Sequence, residues 1–131
     1  MNITDANLAI LIDTQAFVWV ATRSPRLSGA ATAAITDGAT PLCISAVTAY
    51  EFADLNRRGR FGADLPLDSL VARLDAEILE YPASAWRIVD ALPDLHRDPV
   101  DRMLIAHALH LDATLVTADV TMRRYPVRCL W

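Results

Sequence analysis

Apolar residues in this chain fall into short runs, and the period of the runs alternates along the sequence. Residues 8–12 are continuously apolar, as expected of a strand buried on both faces, and Asp13-Thr14 ends the run. Residues 16–21 then read as a helix that stops before Ser24-Pro25, because the residue preceding a proline is pushed out of helical geometry. An alanine-rich helix starts at Ser28 and runs to about Thr36, where Asp37-Gly38 makes a turn signal before a short strand over residues 42–45. Helical spacing returns over residues 46–57, with Gly59 as its stop, and again over 67–76. Residues 78–81 suit a strand and 84–92 a helix, with Pro82 and Pro93 at the breaks. Asp98-Pro99 opens the best-defined helix: Asp98 as N-cap, Pro99 at the first helical position, and Leu104, Ile105, Ala108 and Leu111 as its apolar stripe. A strand over 114–117, a helical turn over 120–124 and a last strand over 127–130 complete the pattern. Strands alternating with helices predict an α/β fold, a three-layer α/β/α sandwich around a mostly parallel sheet. The chain shows no internal repeat, linker or low-complexity segment.

At 131 residues the chain fits a single domain, able to bury roughly two-thirds of the surface its unfolded form exposes. Cys43 and Cys129 each sit in an apolar run without a Cys or His at zinc-ligand spacing, so both are expected to be reduced core residues. The polar start, Met1 to Asn7, has no basic cluster leading into an apolar stretch, and no apolar run is long enough to cross a bilayer. A cytoplasmic protein without a membrane anchor is expected. A net charge of −4 excludes broad electrostatic attraction to nucleic acid while leaving room for a local basic patch. All 12 basic residues are arginine. The lack of lysine removes the P-loop nucleotide site, which needs a phosphate-contacting lysine, and also the phosphoryl-receiver domain with its strand-end lysine.

Four acids stand where elements end or begin: Asp13 after the first strand, Glu51 within the helix of residues 46–57, Asp101 in the first turn of the helix after Asp98, and Asp119 after the strand of residues 114–117. Each has an ordinary explanation. Asp13 and Asp119 can cap the helices that follow them, and Asp101 can stabilise the positive end of its helix by about 0.3 to 1 kcal/mol. Asp98 has the plain job of N-cap. Glu51 shares a stripe with Val47 and Leu55, where an unpaired carboxylate costs several kcal/mol unless it is protonated, paired, bound to a cation or reaches water at the stripe's edge. In a parallel sheet the carboxyl ends of the strands share one edge, so acids distant in sequence can meet there. A carboxylate-only set suits Mg2+ or Mn2+ and disfavours zinc, and such an ion can assist phosphodiester hydrolysis.

The motifs Leu11-Ile12-Asp13-Thr14, Ser45-Ala46-Val47 leading to Glu51, His96-Arg97-Asp98-Pro99-Val100-Asp101-Arg102 with Leu104-Ile105-Ala106, and Leu115-Val116-Thr117-Ala118-Asp119 occur in this order across nearly the whole chain. In them the chain resembles the PIN-domain ribonucleases, specifically the VapC-type toxins of bacterial toxin–antitoxin pairs. The resemblance implies a five-stranded parallel sheet, a Mg2+- or Mn2+-dependent endoribonuclease, a cognate VapB-type antitoxin that occludes the site, and commonly a homodimer. Carried over by motif, Asp13, Glu51, Asp101 and Asp119 would be the catalytic metal ligands. Thr117 would help position a water or ligand, and Asp98 would have a supporting role. Transfer RNA and ribosomal RNA loops are typical substrates of relatives. The chain departs from many relatives at Gln15, where they carry histidine, and in its polar start before Leu8. A catalytically silent PIN-like module that binds RNA or protein is the alternative of another class. A haloacid-dehalogenase-like phosphatase would need an aspartate two residues after Asp13, where Gln15 stands.

Arginine can pair with phosphate bidentately. Arg97 and Arg102, flanking the third acidic motif, are the expected RNA contacts, and Arg57, Arg58 and Arg60 form a second cluster that is equally readable as solvated surface. A hydrophobic fraction of 53% is high for a small monomer and points to a covered apolar surface, although alanine inflates it. Phe17, Val18, Trp19, Phe52 and Leu55 are candidates for that surface as well as for the core, and Tyr50 and Trp86 are equally ambiguous.

Overall fold

The computed structural model describes residues 9–62 and 64–131. The expectation of no leader sequence in Met1 to Asn7, and the first residue of the 8–12 strand, Leu8, lie outside the described residues. The elements follow the alternation expected: β1 (Ile10–Ile12), α1 (Thr14–Ala21), α2 (Gly29–Thr36), β2 (Leu42–Ser45), α3 (Ala46–Arg57), α4 (Leu67–Arg73), β3 (Glu77–Leu79), α5 (Trp86–Ala91), α6 (Pro99–Leu111), β4 (Thr114–Val116) and β5 (Cys129–Leu130). The five strands form one sheet in the order β3-β2-β1-β4-β5, and every pairing is parallel. β1 lies at the centre, with Ile10 in register with Leu42 on one side and Thr114 on the other.

Side chains alternate across a pleated strand, so β1 divides its apolar residues between two cores. Ile10 and Ile12 join Ile44 and Val116 on the face covered by Phe17, Ile35, Phe52 and Leu70 from α1 to α4. Leu11, Cys43 and Leu115 face Leu104, Ile105 and Ala108 of α6, with Met122 and Tyr125. Both faces are covered, which is why the strands read as continuous apolar runs. Phe17 and Phe52 are fully buried, with ring centroids 5.1 Å apart in an edge-to-face arrangement worth about 0.5 to 1.5 kcal/mol beyond burial. They belong to the core and are therefore not available to a partner. Val18, Trp19 and Leu55 are half-buried, while Tyr50 and Trp86 are exposed. Both cysteines are free, and burial pushes the Cys43 thiol up to about 11. No helix among the described residues is long and apolar enough to cross a membrane.

The boundaries differ from expectation where local chemistry ends an element early. α4 stops at Arg73 rather than Ala76 because Asp75 takes a left-handed conformation (φ 52°), which short polar side chains tolerate. β3 begins at Glu77 and ends at Leu79. The helix expected over 84–92 opens as a tight 3-10 turn, Ala83–Ala85, before α5, and the turn expected over 120–124 contracts to Met122–Arg124. β5 starts at Cys129 because the Val127 N–H bonds the Tyr125 carbonyl at 2.8 Å instead of a neighbouring strand.

Candidate functional site

From β1 the chain winds outward through β2 to β3, then returns to the other side of β1 with β4. The connections after β1 and β4 diverge there, leaving a crevice at the carboxyl edge of the sheet. Asp13 follows β1 directly, and Thr117 and Asp119 follow β4. Asp13, Glu51, Asp98, Asp101 and Asp119 all line one cleft of about 590 Å3, together with Thr14, Gln15, Leu55, Arg60 and Phe61. Two helices and two strand ends thus deliver their carboxyl groups to one place.

Asp13 is almost fully buried. It caps α1 through Oδ1, which accepts the Ala16 N–H at 2.8 Å, and its own N–H extends the sheet ladder to the Val116 carbonyl at 3.1 Å. The capping role foreseen for Asp13 is thus combined with a place in the cleft. Glu51 reaches the same cleft, half-buried, from the second turn of α3. Asp98 caps α6 by accepting the Val100 N–H at 2.9 Å, and Asp101 lies in the first turn beyond it. Asp119 accepts the Thr121 and Met122 N–H groups on Oδ1 at 2.8 and 3.1 Å, while its backbone N–H bonds the Thr117 hydroxyl at 3.0 Å. The Thr117 proton has two acceptors within reach, Met122 Sδ at 3.6 Å and the Asp13 carboxylate, of which the carboxylate is the stronger. Thr117 therefore ties the first and last acids of the cleft together.

Charge crowding shows in the proton affinities. Burial is the main cause that raises Asp13 above the ordinary carboxylate range, and the nearby Asp119 and Glu51 add to it against hydrogen bonds from Thr117 and Ala16. Asp101 is pushed up to about 7, first by burial and then by Asp98, with His96 opposing and Asp119 and Glu51 adding. Asp119 goes the other way: burial raises it, but hydrogen bonds from His96, Met122 and Thr121 outweigh that and lower it. A cation among these groups would relieve the repulsion, and their oxygen donors suit a hard divalent ion such as Mg2+ or Mn2+. Thr14 gives an independent indication of fit. It lines the cleft, is buried, and its hydroxyl has no hydrogen-bond partner, which an ion's water shell would supply.

The arginines divide between structural contacts and two surface grooves. Arg102 donates to the Pro93 carbonyl at 2.9 Å, the Val89 carbonyl at 3.0 Å and the Tyr125 hydroxyl at 3.3 Å, so its guanidinium fastens α5 to α6. Exposed Arg97 lines, with Arg102, a separate groove beside Val89 and Met103. Arg60, from the second cluster, is the arginine that lines the acidic cleft. Arg57 and Arg58 instead pair with Asp54 along α3 at 2.8 and 3.3 Å, ordinary surface ion pairs.

Two residues of the cleft region went unassigned in the sequence. His96 Nε2 lies 3.0 Å from Oδ2 of both Asp101 and Asp119 and is hydrogen-bonded to Asp119. Its place at the head of the His96-to-Arg102 motif was the signal, but nothing local gives that histidine a role distinct from that of a surface one. Thr14 carries a hydroxyl whose isolation becomes visible only once α1 is packed.

The fold and the motif order both have counterparts. The sequence matches the PIN domain family over residues 10–127. Among curated proteins, no sequence matches it significantly. Similar folds occur in VapBC2 from Rickettsia felis, solved bound to a DNA fragment from its promoter (TM-score 0.73, 18% identity, 92% of this chain and 96% of that one). Another is VapC20 of Mycobacterium tuberculosis, a sarcin-ricin loop cleaving toxin (TM-score 0.64, 17% identity, 88% and 94% covered). A third is PAE2754 from Pyrobaculum aerophilum (TM-score 0.61, 18% identity, 94% and 83% covered). The matched span includes all four strand-end and helix-borne acids singled out in the sequence, and this chain belongs to the PIN domain family.

Proposed function

We propose that this chain is a single-domain endoribonuclease of the VapC toxin type, dependent on Mg2+ or Mn2+ and restrained by a VapB-type antitoxin. The observation that carries the reading is the gathering of Asp13, Glu51, Asp101 and Asp119 around one cleft at the sheet's topological switch point. These four carboxylates would hold the cation, with Asp98 supporting them at the head of α6. When bound, the ion supplies a more acidic water and stabilises the leaving oxygen of a phosphodiester. The chain's own groups do the rest. Thr117 holds Asp13 and the Asp119 turn in register, the Thr14 hydroxyl offers a hydrogen bond to ordered water, and Arg60 on the cleft wall draws in a phosphate that the acids alone would repel.

RNA as the substrate and an antitoxin as the partner are supported by the likeness to VapC20, which cleaves the sarcin-ricin loop, and to the VapBC2 assembly. On this reading the target is a loop of transfer or ribosomal RNA, the protein acts in the cytoplasm, and a homodimer is the working form. Incubation of the purified protein with structured RNA, with and without Mg2+ or Mn2+, tests the proposal. Cleavage is expected only with the metal and is expected to vanish in Asp13→Asn. Metal-independent cleavage, or an unimpaired Asp13→Asn enzyme, would overturn it. A folded protein that binds RNA without cutting it would instead mark a silent binding module.

A further inference from the structure

His96, Asp101 and Asp119 offer one nitrogen and two oxygens within 4.8 Å of one another, a grouping that on distance alone suits a metal ion with mixed ligands. The hydrogen bonds around the ring point elsewhere. His96 Nδ1 lies 3.1 Å from the backbone nitrogen of Asp98. A backbone N–H can only donate, so Nδ1 must present its lone pair to it, and the ring proton is left for Nε2. An imidazole nitrogen that carries a proton has no lone pair for a metal. It does have a hydrogen to share, which goes to Asp119 Oδ2 at 3.0 Å, while Asp101 Oδ2 lies as close to the same nitrogen.

We propose that His96 is a positioning residue: its Nε2–H clasps the Asp119 carboxylate and holds it beside that of Asp101, so that the ring sets the spacing of two acids and is not itself a metal ligand. The inference rests on the reading of the cleft as a cation site. Two like-charged groups brought to one nitrogen need a proton or a cation between them, and Nε2–H supplies the proton without blocking the cleft. Each carboxylate oxygen has a second lone pair, so the clasp and coordination by the same side chain are compatible. The backbone that carries the ring is held in place. The backbone N–H groups of His96 and Leu95 donate to the Tyr125 hydroxyl at 2.8 and 3.1 Å, and that hydroxyl is also approached by Arg102 at 3.3 Å. Tyr125 is buried, so the brace is part of the core rather than a mobile loop contact. The Asp98 N–H, next to the carboxylate that caps α6, fixes the tautomer. Arg102, Tyr125 and Asp98 thereby act on the acids through one imidazole.

Long-range 1H–15N correlation spectra of 15N-labelled wild-type protein read the tautomer directly. The expected result is a proton on Nε2 and an unprotonated Nδ1, both without divalent ions and with saturating Mg2+. A proton on Nδ1 with bare Nε2, in either state, would overturn the proposal. Calorimetry with Mg2+ and Mn2+ gives the second readout. His96→Ala should weaken both ions by a similar factor, about tenfold. His96→Gln, whose amide nitrogen can donate from nearly the same place, should restore most of that loss. A loss confined to Mn2+, the ion more receptive to nitrogen, or an absence of rescue by glutamine, would instead assign a ligand role and sink the clasp. The tautomer is read without RNA or cleavage, so failure of the nuclease reading would appear separately, as wild-type protein that neither binds Mg2+ nor cuts RNA.

Discussion

The Thr117 hydroxyl accepts the backbone N–H of Asp119 at 3.0 Å, which closes the turn leaving β4 and aims the Asp119 carboxylate into the cleft. The same hydroxyl, fully buried, serves Asp13 as a donor. Thr117→Val keeps the shape but leaves the Asp119 N–H unpaired and removes a hydrogen bond from the Asp13 carboxylate. We expect a loss of about 1 to 3 kcal/mol in urea unfolding, together with weaker Mg2+ binding by calorimetry. Unchanged stability and affinity would show that the hydroxyl has no part in holding the two acids.

Asp101 predicts a pH dependence of stability in the absence of divalent ions. Its folded pKa, about 7, lies above the ordinary 3.8, so between these values the folded state holds a proton that the unfolded state has released. Its contribution to stability is therefore favourable at low pH and declines as pH rises from about 4 to 7. Asp13, also raised by burial, acts in the same direction, whereas the lowered Asp119 opposes them. Asp101→Asn should flatten the decline and be more stable than the wild type at pH 8, as read by thermal unfolding across pH. Mg2+ should stabilise the wild type at pH 8 more than at pH 5, because protonated Asp101 is a poor ligand.

The two arginines of contrasting placement should separate binding from folding. Arg60→Ala is expected to leave unfolding unchanged, to weaken RNA binding and to reduce the salt slope of affinity by about 1, the signature of one lost phosphate contact. Arg102→Ala removes the donor to the Val89 and Pro93 carbonyls and should destabilise by about 1 to 3 kcal/mol. RNA titration at several salt concentrations, set beside urea unfolding, distinguishes them. An unaltered salt slope in Arg60→Ala would remove it from the RNA path.

Phe52→Ala empties a fully buried position against Phe17 and Phe61, whose ring centroids lie 5.1 and 4.8 Å away. A loss of about 3 to 5 kcal/mol is expected, measured by urea unfolding. A loss below about 1 kcal/mol would mean that the ring is not enclosed as described and would return it to the candidates for a partner surface.

Much of this molecule is legible one residue at a time. The apolar run ending at Asp13, the Asp98-Pro99 helix start and the alternation of periods follow from local burial and capping rules, and they led to the observed order of elements. Short-range chemistry also blurs the ends: Asp75 halts α4 by a left-handed turn that its sequence neighbours do not announce. The acids could be recognised as a recurring set, but the roles of the groups around them could not. Whether Arg60 or Arg102 faces the cleft, whether Phe52 is core or surface, and whether His96 meets two carboxylates depend on where distant elements come to rest. Those are long-range juxtapositions, set by the parallel sheet bringing β1 beside β4 and by α6 packing across them. Sequence spacing carries no record of such distances, because the chain between two sites can close in many ways and packing selects one.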